Sequence, residues 1–407
     1  MNSKSENLEH KLTTFLFSII PATYLIGNAI YELNFILIIF FFFFRLQNNK
    51  ELFNTVIQDK IFILLVILWI YLIINTFTGT TPHHSIQRNF LFVKFIILIM
   101  AIKYLIKDRG NINLIIKFWA LTLLVVSFDV FYEFIFGKNI LGFQSAMLNE
   151  RIVSFFQDEL IVGSYLFGFS FPIIIYFINK KKFITTLLIS IIFILAILLS
   201  GERAIFFKTI AALSIFILFV LKNQKLKFFL SIFFLSMLTF LMILPQIKYR
   251  YFDTIKNSLN FQKNLDLKKN ILNTKYINQA VISYELFKNH KLFGVGNKNY
   301  YISCNKELDK TLREKCYTHP HQTYYEFLSE HGLIGSMIII FILFKLLFKN
   351  YKIDDDKYFN IEIFLKLYLI VSLLPIIPTG SFFGSYSMSL FWINYSFIHV
   401  YKNKLIK

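Results

Sequence analysis

Two histidines, His319 and His321 flanking Pro320, and three arginines, Arg151, Arg203 and Arg250, are the residues of this chain best suited to chemistry. A neutral imidazole accepts a proton near pH 7, and a guanidinium grips phosphate oxygens through its planar fork. Together they suit a diphosphate ligand whose leaving group needs charge stabilisation. Pro320 is favoured in a first helical turn, an apolar face follows, and Gly332 supplies a stop, so a helix entered at His319–His321 is expected. In that turn the helix dipole disfavours imidazolium and keeps His321 neutral. Residues two apart on a helix do not share a face, so only one histidine is expected to work. The bland alternatives stay open: interfacial histidines bonded to loop carbonyls, Arg203 paired with Glu202, and arginines snorkelling to headgroups.

The elements that must position these groups are membrane helices. The chain has 407 residues, 56% hydrophobic with 51 Phe and only 16% charged, and a soluble domain of that size would need a larger polar surface. Mean hydropathy is +0.58. Apolar windows fall near 12–29, 31–45, 60–77, 90–106, 112–131, 160–178, 183–200, 204–221, 227–245, 333–349, 360–378 and 384–401. Each approaches the roughly 20 residues needed to span a bilayer, so the fold class is an all-α integral membrane protein of about 12 helices. The net charge of +19 does not point to nucleic acid, because Lys and Arg are dispersed in short clusters between apolar runs. Such clusters orient a membrane protein and favour anionic lipid headgroups.

With the N-terminus inside, alternate connections carry Arg45 and Lys50, Lys103 to Arg109, Lys180 to Lys182, Lys222 to Lys227, and Lys345 to Lys357. The opposite connections 78–87 and 378–385 carry neither Lys nor Arg, with Arg88 a minor exception, so both termini are read as cytoplasmic. The polar N-terminus and the lack of a small-residue cleavage site argue against a removed signal peptide. Three sections result: helices over 1–245, a large external loop over 246–332 carrying the histidines, and helices over 333–407. A shorter external segment runs from Glu133 to Glu159. The large loop opens with a basic, Asn-rich stretch (Lys256 to Lys275). An amphipathic helix using Ile277, Val281, Tyr284, Leu286 and Phe287 follows, then a Gly294-Val295-Gly296 turn. Cys304 and Cys316, the only cysteines, both lie in this loop; outside the cytoplasm they can pair, the alternative being two free thiols.

Other chemistries lack their signatures. There is no CxxC or HExxH metal spacing, no GK[ST] loop, no GxSxG elbow and no acidic cluster, so neither metal nor cofactor is expected. Gly294-Val295-Gly296 lacks the third glycine of a dinucleotide fingerprint. Few charges fall at mid-membrane depth, which counts against an ion-coupled pump or a non-enzymatic polysaccharide-lipid transporter.

Several blocks occur in order: Phe128-Asp129-Val130 with Phe136-Gly137-Lys138-Asn139, Arg151-Ile152-Val153-Ser154, Leu199-Ser200-Gly201-Glu202-Arg203, His290 to Gly296, and His319-Pro320-His321 leading to Glu330-His331-Gly332. In this order they resemble the O-antigen ligase and O-antigen polymerase superfamily, membrane glycosyltransferases of the lipid-linked type. The resemblance implies about twelve helices in a GT-C-like arrangement, a large periplasmic loop, the bacterial inner membrane and a metal-independent transfer. It implies a polysaccharide donor on undecaprenyl diphosphate and a lipid A-core acceptor for a ligase. For a polymerase the acceptor is a further repeat unit on the same carrier. It implies catalytic roles for His321, activating the acceptor hydroxyl, and Arg203, neutralising the diphosphate. His319, Arg151, Arg250, Lys275 and Gln322 are assigned to substrate binding beside them. Two departures stand out. Gln322 replaces the usual Asn after the second histidine. The region before the GxG turn reads Lys275-Tyr276-Ile277-Asn278 where an arginine is common, so Lys275 or Arg250 is the substitute.

Overall fold

The computed structural model describes residues 3–106, 109–145, 151–157, 159–220, 224–243, 245–253, 274–348, 365–375 and 377–402. Most of the basic stretch that opens the large loop lies outside them. The described residues form helices and loops without strands. In order come α1 (Ser3–Ser18), α2 (Ile20–Ile26), α3 (Asn28–Gln47), α4 (Lys50–Ile57), α5 (Lys60–Thr78), α6 (Pro82–Leu91) and α7 (Val93–Leu105). Then follow α8 (Arg109–Phe136), α9 (Val162–Asn179), α10 (Phe183–Leu199), α11 (Arg203–Ile215), α12 (Gln224–Ile243) and α13 (Pro245–Lys248). The segment before the histidines adds α14 (Lys275–Asn289), α15 (Tyr300–Glu307) and α16 (Lys310–Arg313). α17 (Thr323–Phe348), a helical run at 365–372 and α18 (Ser385–Lys402) complete the chain.

The chain is an all-α membrane protein. Six spans, Asn28–Gln47, Lys60–Thr78, Pro82–Leu105, Asn111–Phe136, Val162–Asn179 and Thr323–Phe348, are long and apolar enough to cross a bilayer. α5 shows how the sequence divides its faces. Ile63, Ile67, Ile70 and Ile74 form an exposed stripe at helical spacing, suited to lipid, while Leu65, Leu68, Tyr71, Leu72 and Asn75 are buried. Two sequence windows do not form single rods. The 12–29 window breaks between α1 and α2 and again at Gly27, whose φ is 136°. The 204–221 window is the 13-residue α11 followed by a π turn over Phe216–Val220. α18 is polar for a central helix. It is buried nonetheless, because Ser389, Asn394 and Ser396 return their side-chain donors to carbonyls four residues earlier on the same helix. Its ring contacts with neighbours include Phe17 and Trp119 on Phe397 and Phe92 on Trp392.

The segment between α13 and α17 is docked on the bundle through glycines. Gly294 and Gly332 both have left-handed backbones, φ 69° and 63°, and they face each other's strands of chain. A Cβ on Gly294 would lie 2.4 Å from the Glu330 carbonyl carbon, and one on Gly332 would lie 2.5 Å from Leu292 backbone. That close approach lets Val295 N–H and Gly296 N–H donate to Ser329 and Glu330 carbonyls. Gly332 has a non-helical backbone, so the helix entered at Thr323 stops there as expected, and a second helical stretch continues α17 beyond the kink to Phe348. In α14 the buried face is Gln279, Ile282, Ser283 and Leu286, whereas Val281 and Tyr284, expected on the packed face, are exposed. Cys304 and Cys316 form a disulfide that closes α15 onto the segment leading to the histidines.

Candidate active site

The turn Ser200–Glu202, between α10 and α11, gathers the arginines. Gly201 adopts φ 70°, which reverses the chain and starts α11 at Arg203. The Gly201 carbonyl accepts from Arg250 Nε at 3.0 Å, and the Ser200 carbonyl accepts from Ile152 N–H at 3.2 Å, beside Arg151. Glu202 accepts from Gly163 N–H at 2.6 Å and Ser164 Oγ at 2.7 Å, with Arg151 Nη2 4.0 Å away. Arg151 also donates to the Leu160 carbonyl at 2.7 Å. Burial raises the Glu202 carboxyl, and Arg151 and these donors oppose that. The segment bearing Arg151 is itself tied to α8: Asp129 accepts from Ser154 Oγ, and Glu133 accepts from Val153 and Ser154 N–H.

The histidines arrive from the other side, and their geometry corrects the expected helix entry. α17 begins at Thr323, not at His319; His321 precedes it in a left-handed turn with φ 58°. The helix cap is Gln322, whose Oε1 accepts from Tyr325 N–H at 2.9 Å while its Nε2 donates to the Pro375 carbonyl. Freed from helical spacing, the His319 and His321 rings lie 4.1 Å apart, centroid to centroid, so the pair shares one site after all. Burial, then Lys275, holds His321 down to about 4. Burial, then His321, takes His319 down to about 3. Both imidazoles are neutral at pH 7, through desolvation rather than a helix dipole.

A loop at 377–384 holds the histidines in place. Thr379 N–H donates to the His321 carbonyl at 2.9 Å, and the Thr379 and Thr323 hydroxyls meet at 3.0 Å. Buried Glu326 fixes this loop by accepting from Ser381 Oγ at 2.6 Å and Phe382 N–H at 2.9 Å. Lys298 Nζ and Arg88 Nη1 tie down Ser381 Oγ and the Phe383 carbonyl. Arg88, the exception in the charge alternation, thus has a structural use.

All five principal residues, Arg151, Arg203, Arg250, His319 and His321, line one cavity of about 460 Å³. Its lining carries four cationic side chains, Lys208 being the fourth, against one carboxylate, Glu202. Buried Arg151 Nε, Tyr386 Oη and His319 Nε2 have no hydrogen-bond partner among the described residues. Unsatisfied buried donors are rare without a ligand, and these suit one rich in anionic oxygens. Gln322 and Lys275 do not line the cavity. Lys275 lies over the Tyr317 ring at 3.9 Å, and that ring is 5.8 Å from His321.

Residues 188–340 match the family model described as O-antigen ligase. This region of the chain is similar to the O-antigen ligase family. The match supports the ligase and polymerase superfamily that the sequence blocks resemble. A comparison with curated proteins finds no match. The matched region contains Arg203, Arg250, His319 and His321; Arg151 and the 377–384 loop lie outside it.

The residues that the sequence reading missed are Lys208, Tyr386 and the 377–384 loop. Lys208 had a visible signal, a lone charge in the apolar run Ile205-Phe206-Phe207-Lys208. The loop had none, because Thr379 and Ser381 acquire their roles only by contact with α17.

Proposed function

We propose that the protein is an inner-membrane O-antigen ligase that transfers polysaccharide from undecaprenyl diphosphate to lipid A-core, with the cavity on the periplasmic face. The observation that carries this reading is the convergence of three arginines and two neutral histidines on one cavity with unsatisfied donors. The O-antigen ligase match and the six membrane-length helices support it. In this reading the bundle makes twelve crossings with both termini in the cytoplasm, in line with the alternation of Lys and Arg.

The chemistry follows from the side chains. The acceptor hydroxyl lies against His321, whose unprotonated nitrogen takes its proton as the oxygen attacks the anomeric carbon. The bond from that carbon to the diphosphate oxygen breaks, and negative charge grows on the leaving phosphate. Arg203, Arg151 and Arg250 meet that charge, so the stabilisation normally sought from a divalent cation comes from guanidiniums. His319 and the Thr379 loop keep His321 at its station.

Complementation tests the proposal. In ligase-deficient cells the chain restores polysaccharide on lipid A-core, and His321→Ala and Arg203→Ala each abolish this while protein persists in the membrane. If lipid-linked chains lengthen instead, the activity is that of a polymerase. Full activity in both variants would overturn the site assignment.

A further inference from the structure

Lys208 is 5% exposed, sits on α11 and lines the cavity, yet it makes no hydrogen bond or ion pair among the described residues. The one carboxylate of the lining, Glu202, is already engaged by Gly163, Ser164 and Arg151. A lysine this enclosed is not reaching solvent, and an uncompensated charge in an apolar bundle lowers stability. Five residues after Arg203, it lies about 7.5 Å further along the helix axis, at 1.5 Å per residue. Arg203 begins the helix at the turn that gathers the arginines, so Lys208 lies further into the bundle. Phe167, Leu390 and Phe391 also line the cavity, and so does Tyr386, whose buried hydroxyl has no partner.

We infer that Lys208, with the Tyr386 hydroxyl, is an anion-binding pair that grips the phosphate nearest the prenyl chain. The arginines and histidines would then hold the sugar side. This deepens the reading of the cavity as a lipid-diphosphate site and rests on it. Lys208, further along α11, and the Tyr386 hydroxyl of the same lining divide recognition of the carrier with the arginines: its inner phosphate is anchored before any bond to the sugar breaks. Lys208 carries no step of the transfer; it binds.

The test uses the full chain in phosphatidylcholine nanodiscs, with affinity and thermal midpoint measured for the natural protein and for K208M, K208R and Y386F. The probes are farnesyl diphosphate, farnesyl phosphate, inorganic pyrophosphate and added phosphatidylglycerol. The expected result is a Kd for both farnesyl probes weakened tenfold or more in K208M, within threefold of normal in K208R, and severalfold weaker in Y386F. The midpoint of ligand-free K208M should rise, because a buried charge has been replaced by a methylene chain of similar length. That rise separates a binding role from a structural one, since a structural lysine would lower the midpoint when lost. An unchanged Kd in K208M overturns the inference whatever the midpoint does. Failure of the natural protein to bind either farnesyl probe overturns the parent reading along with it. Equal competition by phosphatidylglycerol or inorganic pyrophosphate assigns the pair to bulk lipid or to a free ion and overturns the carrier assignment.

Discussion

His321 sets the protonation state on which the proposed transfer depends, and burial has moved that state far from an ordinary histidine. The sign follows directly. A histidine whose folded value is depressed works above it and fails as pH falls through it, so kcat/KM should stay flat down to about pH 5. It should then drop through about 4, the value burial gives His321. A profile falling through the ordinary histidine value near 6.5 would count against the assignment. Stability shares the direction: the unfolded chain takes up these protons first, so folding weakens as pH drops from about 6.5 towards 4. Arg203 offers a second check. R203A should lower kcat roughly 10²-fold, and R203K should recover only part, because an ammonium cannot reproduce the planar two-pronged contact. The residue types of this site were readable in advance, since arginines and histidines are conspicuous in so apolar a chain. The partnership of His319 with His321 was not, because helical spacing excluded it and only the left-handed turn at His321 permits it.

Helices and their joints carry the next layer. The kink of α17 at Gly332 and the turn at Gly294 interlock so closely that neither tolerates a Cβ. G332A should therefore cost more than about 2 kcal/mol, from a left-handed backbone and a steric clash together. Thermal unfolding would reveal it, and activity should fall with it, because Thr323 and Glu326 ride on the same helix. Opening the Cys304–Cys316 bridge by double substitution to serine should cost about 2–3 kcal/mol, given its 12-residue separation. A milder loss in denaturant unfolding would show that the α15 segment is held by its apolar contacts instead. Apolar periodicity located most of these helices, including α5, α8, α9 and α10, since lipid leaves the backbone few other options. It joined α1 to α2 because hydropathy averages over the break at Ile19, which only the backbone reveals. It also misjudged the packed face of α14, where buried Gln279 and Ser283 are stabilised by hydrogen bonds that a hydropathy pattern does not register.

At the scale of the molecule, the proposed orientation makes a direct prediction. Fusions to a reporter active only outside the cytoplasm should be bright when placed near residue 320 and dark when placed after residue 181. The reverse pattern would remove the periplasmic acceptor from the argument. The six described spans long enough by themselves, together with the broken and shorter helices between them, form a bundle with the candidate cavity beside the start of α11. The general class was legible from composition, but the cavity was not, because its wall combines Arg151, Arg203 and His321 with residues from 368 to 391.

That last contribution has a consequence for biogenesis. Thr379, Phe382, Tyr386, Leu390 and Phe391 leave the ribosome after every arginine of the site, yet they line the basin in which those earlier guanidiniums sit. Until they emerge, the nascent protein holds those charges with one side of their container missing. A message cut short before codon 377 is expected to yield a product that keeps every arginine of the site but lacks this part of the wall around them.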